Sequence, residues 1–156
     1  AGSRRVPSRT LAAHRCRGLL VGPVLSVIGV GIDLVDLARI SRLLVSKGDQ
    51  AFARFFTDAE RAYLATRPDP TGHAGARIAA KEAVYKALQS LPGARGVGWR
   101  EIEVTRDSDG RPAILLHGLA ARLAAGAGGI RIEISLTHSE STAGAVAVLH
   151  PAPSGP

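Results

Sequence analysis

Read for hydrophobic and polar positions, the chain alternates short strands with helices of differing character. The β-branched, glycine-spaced run LSVIGVGIDL predicts a buried first strand that ends at Asp33. In VDLARISRLLVS, Leu37, Ile40, Leu43 and Leu44 recur at helical spacing on one face while Arg39 and Arg42 fall on another, which predicts an amphipathic helix. FFTDAERAYLAT carries Thr57 and, three residues on, Glu60, the pattern of a capping box at a helix start. RPDPTGHAG, with two prolines and two glycines, reads as a loop. The alanine-rich ARIAAKEAVYKAL, Ala76 to Leu88, predicts a firm helix that lies close to its neighbour, because alanine combines the best helix propensity with the smallest side chain. After a second loop, LPGARGVG, the segment EIEVTRDSDGRPAILLH predicts a hairpin turning at Asp109-Gly110. GLAARLAAGAGG is a short helix, and IRIEISLTH and TAGAVAVL are two closing strands. The order predicts an α+β domain over residues 24–150, a mostly antiparallel sheet packed against helices, with no internal repeat.

Composition changes this picture at the ends of the chain. A length of 156 residues with 46% hydrophobic content suits one globular domain and excludes a disordered chain. Residues 1–23 differ: basic and polar, without an acid and without periodicity, they are expected to form a disordered tail, as are the last six residues, PAPSGP. The uncharged run Gly18 to Ile32 imitates a secretory signal, but it is short for a bilayer span and Gly22-Pro23 interrupts it, so its second half is assigned to the first strand and no membrane partner is expected. The single cysteine, Cys16, excludes an internal disulfide framework and fits a cytoplasmic location. A formal charge of +7 points to an acidic partner: a phosphorylated small molecule, an acidic protein or a nucleic acid.

The alanine-rich helix carries the candidate chemistry. Glu82 and Lys86 stand four residues apart and so one above the other, with Lys81 about a quarter turn away. By themselves Glu82 and Lys86 read as a surface ion pair. A magnesium ion is held by one or two carboxylates together with waters and substrate phosphates, so a functional reading needs a second acid. Asp33, closing an apolar strand, supplies it, and reads equally well as a cap for the helix that begins near Asp36.

GVGIDLVDLARI, followed some forty residues later by ARIAAKEAVYKAL and then by WREIEV, DGRP and ISLTHS, resembles the holo-acyl-carrier-protein synthases, a family of 4'-phosphopantetheinyl transferases. The resemblance runs from about Val24 to Leu149 with the segments in the family's order, and the paired G-x-D and K-E-A-x-x-K-A motifs are its specific part. It implies transfer of the phosphopantetheine arm of coenzyme A to a serine of an apo acyl carrier protein, with release of 3',5'-ADP, in fatty acid or polyketide synthesis. It also implies Asp33 and Glu82 as ligands of Mg²⁺, Glu82 as acceptor of the serine proton, and Lys86 as the donor to the departing oxygen. Arg77 and Lys81, in the family's R-x-x-x-K-E pattern, are expected on coenzyme A phosphates, and His138 of the S-x-[ST]-H segment at the nucleotide end. Arg39 and Arg42, with Leu43 as an apolar contact, suit docking of an acidic carrier-protein helix.

Two departures matter. Where relatives have a glycine soon after the K-A-[FL] segment, this chain has Gln89 followed by SLPGARGVG, so a different rim of the adenine pocket is expected. Two residues after Asp33 stands Val35, where the larger two-lobed branch has a further acid. The chain therefore resembles the small branch, whose members generally form homotrimers with sites between subunits. An inactive carrier-protein-binding relative would keep the basic face of Arg39 but would not need Asp33, Glu82 and Lys86 together. A nucleic-acid-binding module accounts for the charge, yet one tryptophan, two tyrosines and three phenylalanines offer few stacking platforms.

Overall fold

A computed structural model describes residues 26–153; the expected N-terminal tail, Cys16 and residues 154–156 lie outside that range. The elements are β1 (Gly29–Asp36), α1 (Leu37–Phe55), α2 (Asp58–Ala65), α3 (Thr71–Leu88), β2 (Ile102–Arg106), β3 (Pro112–Leu116), α4 (Gly118–Gly126), β4 (Ile130–His138) and β5 (Thr142–Pro151), with two short 3₁₀ turns between α3 and β2. All strand pairing is antiparallel, but there are two sheets: β1-β5-β4 and the hairpin β2-β3.

Alanine and glycine decide how the layers meet. Ala79, Ala80, Ala83 and Ala87 of α3 lie against Ala145, Ala147 and Leu149 of β5 in one buried cluster. β1 comes nearer still: a methyl group at Gly31 would stand 1.9 Å from the carbonyl oxygen of Ala83, and one at Gly29 would stand 2.3 Å from that of Ala87. Two residues along a strand advance about 6.6 Å and four along a helix about 6 Å, so the glycine pair and the alanine pair stay in step and only glycine fits. A second cluster, Ile40, Phe56, Leu64, Ala74 and Ile78, ties α1 and α2 to the first half of α3.

Several expectations are corrected. β1 does not end at Asp33 but pairs with β5 as far as Asp36 opposite Thr142. The cap of α1 is Asp36, whose carboxylate accepts from Arg39 N at 2.7 Å, while Asp33 sits within the strand opposite Ala145. Nor is β1 buried on both faces: the helices cover one side of its sheet, leaving Val30, Ile32 and Leu34 60%, 64% and 70% exposed. α1 continues beyond Ser46 to Phe55 through a break at Gly48, whose φ of 44° suits glycine. α3 begins at Thr71, inside the expected loop, because Gly75 serves packing rather than termination: a side chain there would meet Leu37 Cδ2 at 2.5 Å. At the other end β5 includes Pro151, and Ala152 N donates to Gly129 O at 3.0 Å, so the C-terminal tail starts later than 151.

Candidate active site

The tight β1–α3 seam brings two of the three candidate catalytic residues together. Lys86, in the last turn of α3, reaches across to Asp33 Oδ1 at 2.9 Å and to the Ile32 carbonyl at 3.0 Å. The Asp33 side chain is 17% exposed and its Oδ2 has no hydrogen-bond partner among the described residues. Lys86 thus pairs with Asp33 rather than with Glu82. Glu82, one turn back on α3, makes no hydrogen bond or ion pair among the described residues and lines a cavity of about 270 Å³ with Tyr85, Val97, Gly98, Trp99 and Ile102. Among the described residues no three His, Cys, Asp or Glu side chains stand together in a cluster able to hold a metal.

Lys81 departs from its expected role. Its side chain is wholly buried, 2.8 Å from Glu60 Oε2, and its ammonium also donates to the carbonyls of Trp99 at 2.9 Å and Ile102 at 2.5 Å. An ammonium has three N–H bonds, and here all three are engaged inside the fold, which leaves none for a phosphate. Burial holds the Lys81 ammonium below its ordinary range, and the Glu60 carboxylate opposes that only in part. Glu60 does double duty: besides closing the capping box with Thr57, it accepts from Val104 N at 3.0 Å through Oε1.

Arg77 and His138 do meet, in a separate cavity of about 270 Å³ that shares no lining residue with the one beside Glu82. His138 ends β4, and the cavity is also lined by Tyr63, His73 and Arg106. Sequence reasoning missed these three because they come from α2, the start of α3 and the end of β2, with no shared local pattern. Arg77 is buried, its guanidinium carbon 3.9 Å from the centroid of the Tyr63 ring. Burial, then Arg67 and Arg77, hold the His73 imidazolium below its ordinary range.

The residues singled out on α1 share one surface feature. Arg39, Arg42 and Leu43 line one open groove of about 720 Å³ with Val45 and Phe55.

A three-stranded antiparallel sheet backed by an alanine helix, with an acid on the first strand paired to a lysine on that helix, defines a recognisable class. Residues 29–142 match the 4'-phosphopantetheinyl transferase superfamily, and the chain belongs to it. Within that superfamily its relatives are holo-acyl-carrier-protein synthases. That of Solidesulfovibrio magneticus is 44% identical over 121 residues, 78% of this chain and 96% of the relative, and that of Rhodopirellula baltica is 42% identical over 125 residues, 80% and 98%. Among solved structures, the ACPS–CoA complex of Chronobacterium ammoniagenes superposes with a TM-score of 0.67 at 33% identity, covering 80% of this chain and 97% of that one. The holo-acyl-carrier-protein synthase of Bacillus anthracis in complex with CoA (3',5'-ADP) gives 0.65 at 29% identity, covering 81% and 98%.

Proposed function

We propose that this chain transfers the 4'-phosphopantetheine group of coenzyme A to a serine hydroxyl of an apo acyl carrier protein and releases 3',5'-ADP, the holo-acyl-carrier-protein synthase reaction. The observation that carries the reading is the Lys86–Asp33 contact across the β1–α3 seam, with Glu82 one helical turn away on the same helix. Family membership and the relatives' coenzyme A complexes support it.

The donor set suits Mg²⁺. Two carboxylates, one with Oδ2 unpartnered and the other without an ion pair, match an ion that keeps most of its shell for water and phosphate oxygens. Asp33 and Glu82 would hold it; when bound, it offsets the charge of the pyrophosphate and makes its phosphorus more electrophilic. The serine oxygen forms a new bond to the phosphorus that bears the pantetheine, the P–O bond to the nucleotide breaks, and Glu82 takes the serine proton. Lys86, anchored through Asp33 and the Ile32 carbonyl, donates to the oxygen that leaves with 3',5'-ADP, where negative charge develops.

Partner contacts follow from the two remaining groups. The groove of Arg39, Arg42 and Leu43 pairs positive charge with an apolar floor, which suits an acidic amphipathic helix of the carrier protein. Arg77 and His138 take the nucleotide phosphates, and in one chain they stand in a different cavity from Glu82. A homotrimer joins the two halves: the exposed row Val30, Ile32 and Leu34 lies on β1 itself, so a second copy seated there comes up beside Asp33. Among the described residues no helix is long and apolar enough to cross a membrane, and with a single cysteine and coenzyme A as co-substrate the reaction is assigned to the cytoplasm.

The test is the intact mass of an apo acyl carrier protein incubated with this chain, coenzyme A and Mg²⁺, beside an EDTA sample and the Asp33→Ala variant. A gain of one phosphopantetheine that disappears in both controls is the expected result. No gain with several carrier proteins, from folded protein, overturns the reading.

A further inference from the structure

Phe55 faces two sites at once. It lines the α1 groove with Arg39, Arg42 and Leu43, and its ring meets that of Trp99 edge to face, with centroids 5.1 Å apart and planes at 83°. Trp99 lines the cavity beside Glu82, so groove and cavity, which have no lining residue in common, touch through this aromatic pair. The two ends of Trp99 are held differently. Lys81, buried and paired with Glu60, donates to the Trp99 carbonyl at 2.9 Å and to that of Ile102, which pins the main chain of the turn. The Trp99 ring is half-buried, and a side chain at the neighbouring Gly98 would meet nothing within 4 Å, so the ring leans on Phe55 with open space beside Gly98. Phe55 itself stands beyond the break at Gly48, where φ is 44°, whereas Arg39, Arg42 and Leu43 stand before it. The groove is therefore lined from both segments of α1, and a helix seated in it fixes one segment against the other.

We infer that Phe55 is a positioning residue that couples the two substrate sites: a carrier-protein helix lying across the break sets Phe55, Phe55 sets the Trp99 ring, and the ring walls the cavity that takes the arm of coenzyme A. The inference rests on the transferase reading. The arm is bonded to the phosphorus at which Glu82 acts, and Val97, Trp99 and Ile102 give the cavity the apolar walls that suit its aliphatic and amide chain. Ordering the aromatic pair restricts side chains that were free to turn, and this loss is met once for both ligands, so the second to bind does so more tightly. The coupling is reciprocal by necessity: the factor by which carrier protein tightens coenzyme A is the factor by which coenzyme A tightens carrier protein. Phe55 touches no reacting atom and acts on binding alone.

Trp99 is the single tryptophan of the chain, so its fluorescence reads the cavity directly. The full chain is titrated with coenzyme A, alone and saturated with a tryptophan-free carrier protein whose acceptor serine is replaced by alanine so that no transfer occurs. The wild type is expected to bind coenzyme A at least about fivefold more tightly when the carrier protein is present. Phe55→Ala should bring that ratio to about one, and Phe55→Leu, which keeps an apolar contact in the groove but has no aromatic edge for Trp99, to about twofold or less. A Phe55 that served the groove alone would weaken carrier binding and leave the ratio untouched. A ratio of about one in the wild type, or a wild-type ratio kept by both variants, overturns the inference; should Phe55→Ala not fold, Phe55→Leu alone decides it. A chain that couples the two ligands through Phe55 yet never modifies the unaltered carrier protein would sink the transferase reading and leave the coupling in place. Transfer with a ratio of about one would do the reverse.

Discussion

Lys81 Nζ stands 2.8 Å from Glu60 Oε2 with both side chains wholly buried, so an ion pair joins α2 to α3 inside the core. Removing one partner strands the other as an uncompensated buried charge. Lys81→Met should cost about 3–5 kcal/mol of stability, read as the shift of the urea midpoint at constant slope. A shift corresponding to less than about 1 kcal/mol would mean that Glu60 finds water or a new donor once Lys81 is gone.

Lys86 offers the opposite case. Its side chain is 46% exposed, so Lys86→Met should change stability by less than about 1 kcal/mol. The same change removes the donor aimed at the leaving oxygen, and the transfer rate should fall by about a hundredfold or more. Equal losses in both measurements would assign Lys86 a structural rather than a chemical role.

The seam itself can be tested at Gly31. In Gly31→Ala the added methyl would press on the Ala83 carbonyl at 1.9 Å, a backbone atom that cannot rotate away. β1 must then lift from α3, at a cost of about 3 kcal/mol, and Asp33 is carried away from Lys86. Unfolding and transfer should therefore both suffer, in contrast to Lys86→Met.

Self-association is tested on the outer face of β1. Ile32→Asp places a charge in the exposed apolar row without touching the side that faces α3. Sedimentation should give a trimer for the wild type and a monomer for the variant, with loss of transfer but intact helical circular dichroism. A wild type that sediments as a monomer and still transfers would refute the shared site.

Acid stability should depend on His73. Because its imidazolium is held below the ordinary value of about 6.5, the folded chain binds fewer protons than the unfolded one in the window beneath that value. Stability is then full above the window, declines as the pH falls through it, and levels off once the folded pKa is passed. His73→Gln should flatten that decline in urea titrations at stepped pH.

What could be read from the sequence was local. Thr57 and Glu60 form the capping box that their spacing announced, and the order of strands and helices follows from periodicity. Asp33, Glu82 and Lys86 were legible as candidates through their motifs. The partner choices were not, because they are made across the fold: Lys86 turns to Asp33, 53 residues away, and Lys81 turns inward to Glu60. The start of α3 was hidden by Gly75, since a glycine required for contact with Leu37 looks the same in sequence as one that ends a helix. Tyr63 carried no signal, because Arg67, Arg77 and Arg106 reach its ring from separate parts of the chain.

The spacing between Asp33 and Lys86 is set by main chain lying on main chain, Gly31 against the Ala83 carbonyl, rather than by the bulk of any side chain between them. A ruler built this way does not stretch when its surroundings are exchanged. The aliphatic residues of the core cluster around α3, such as Val84, Leu88 and Val104, could be swapped for others of similar volume to raise heat tolerance, and the distance that matters for chemistry would hardly register the change.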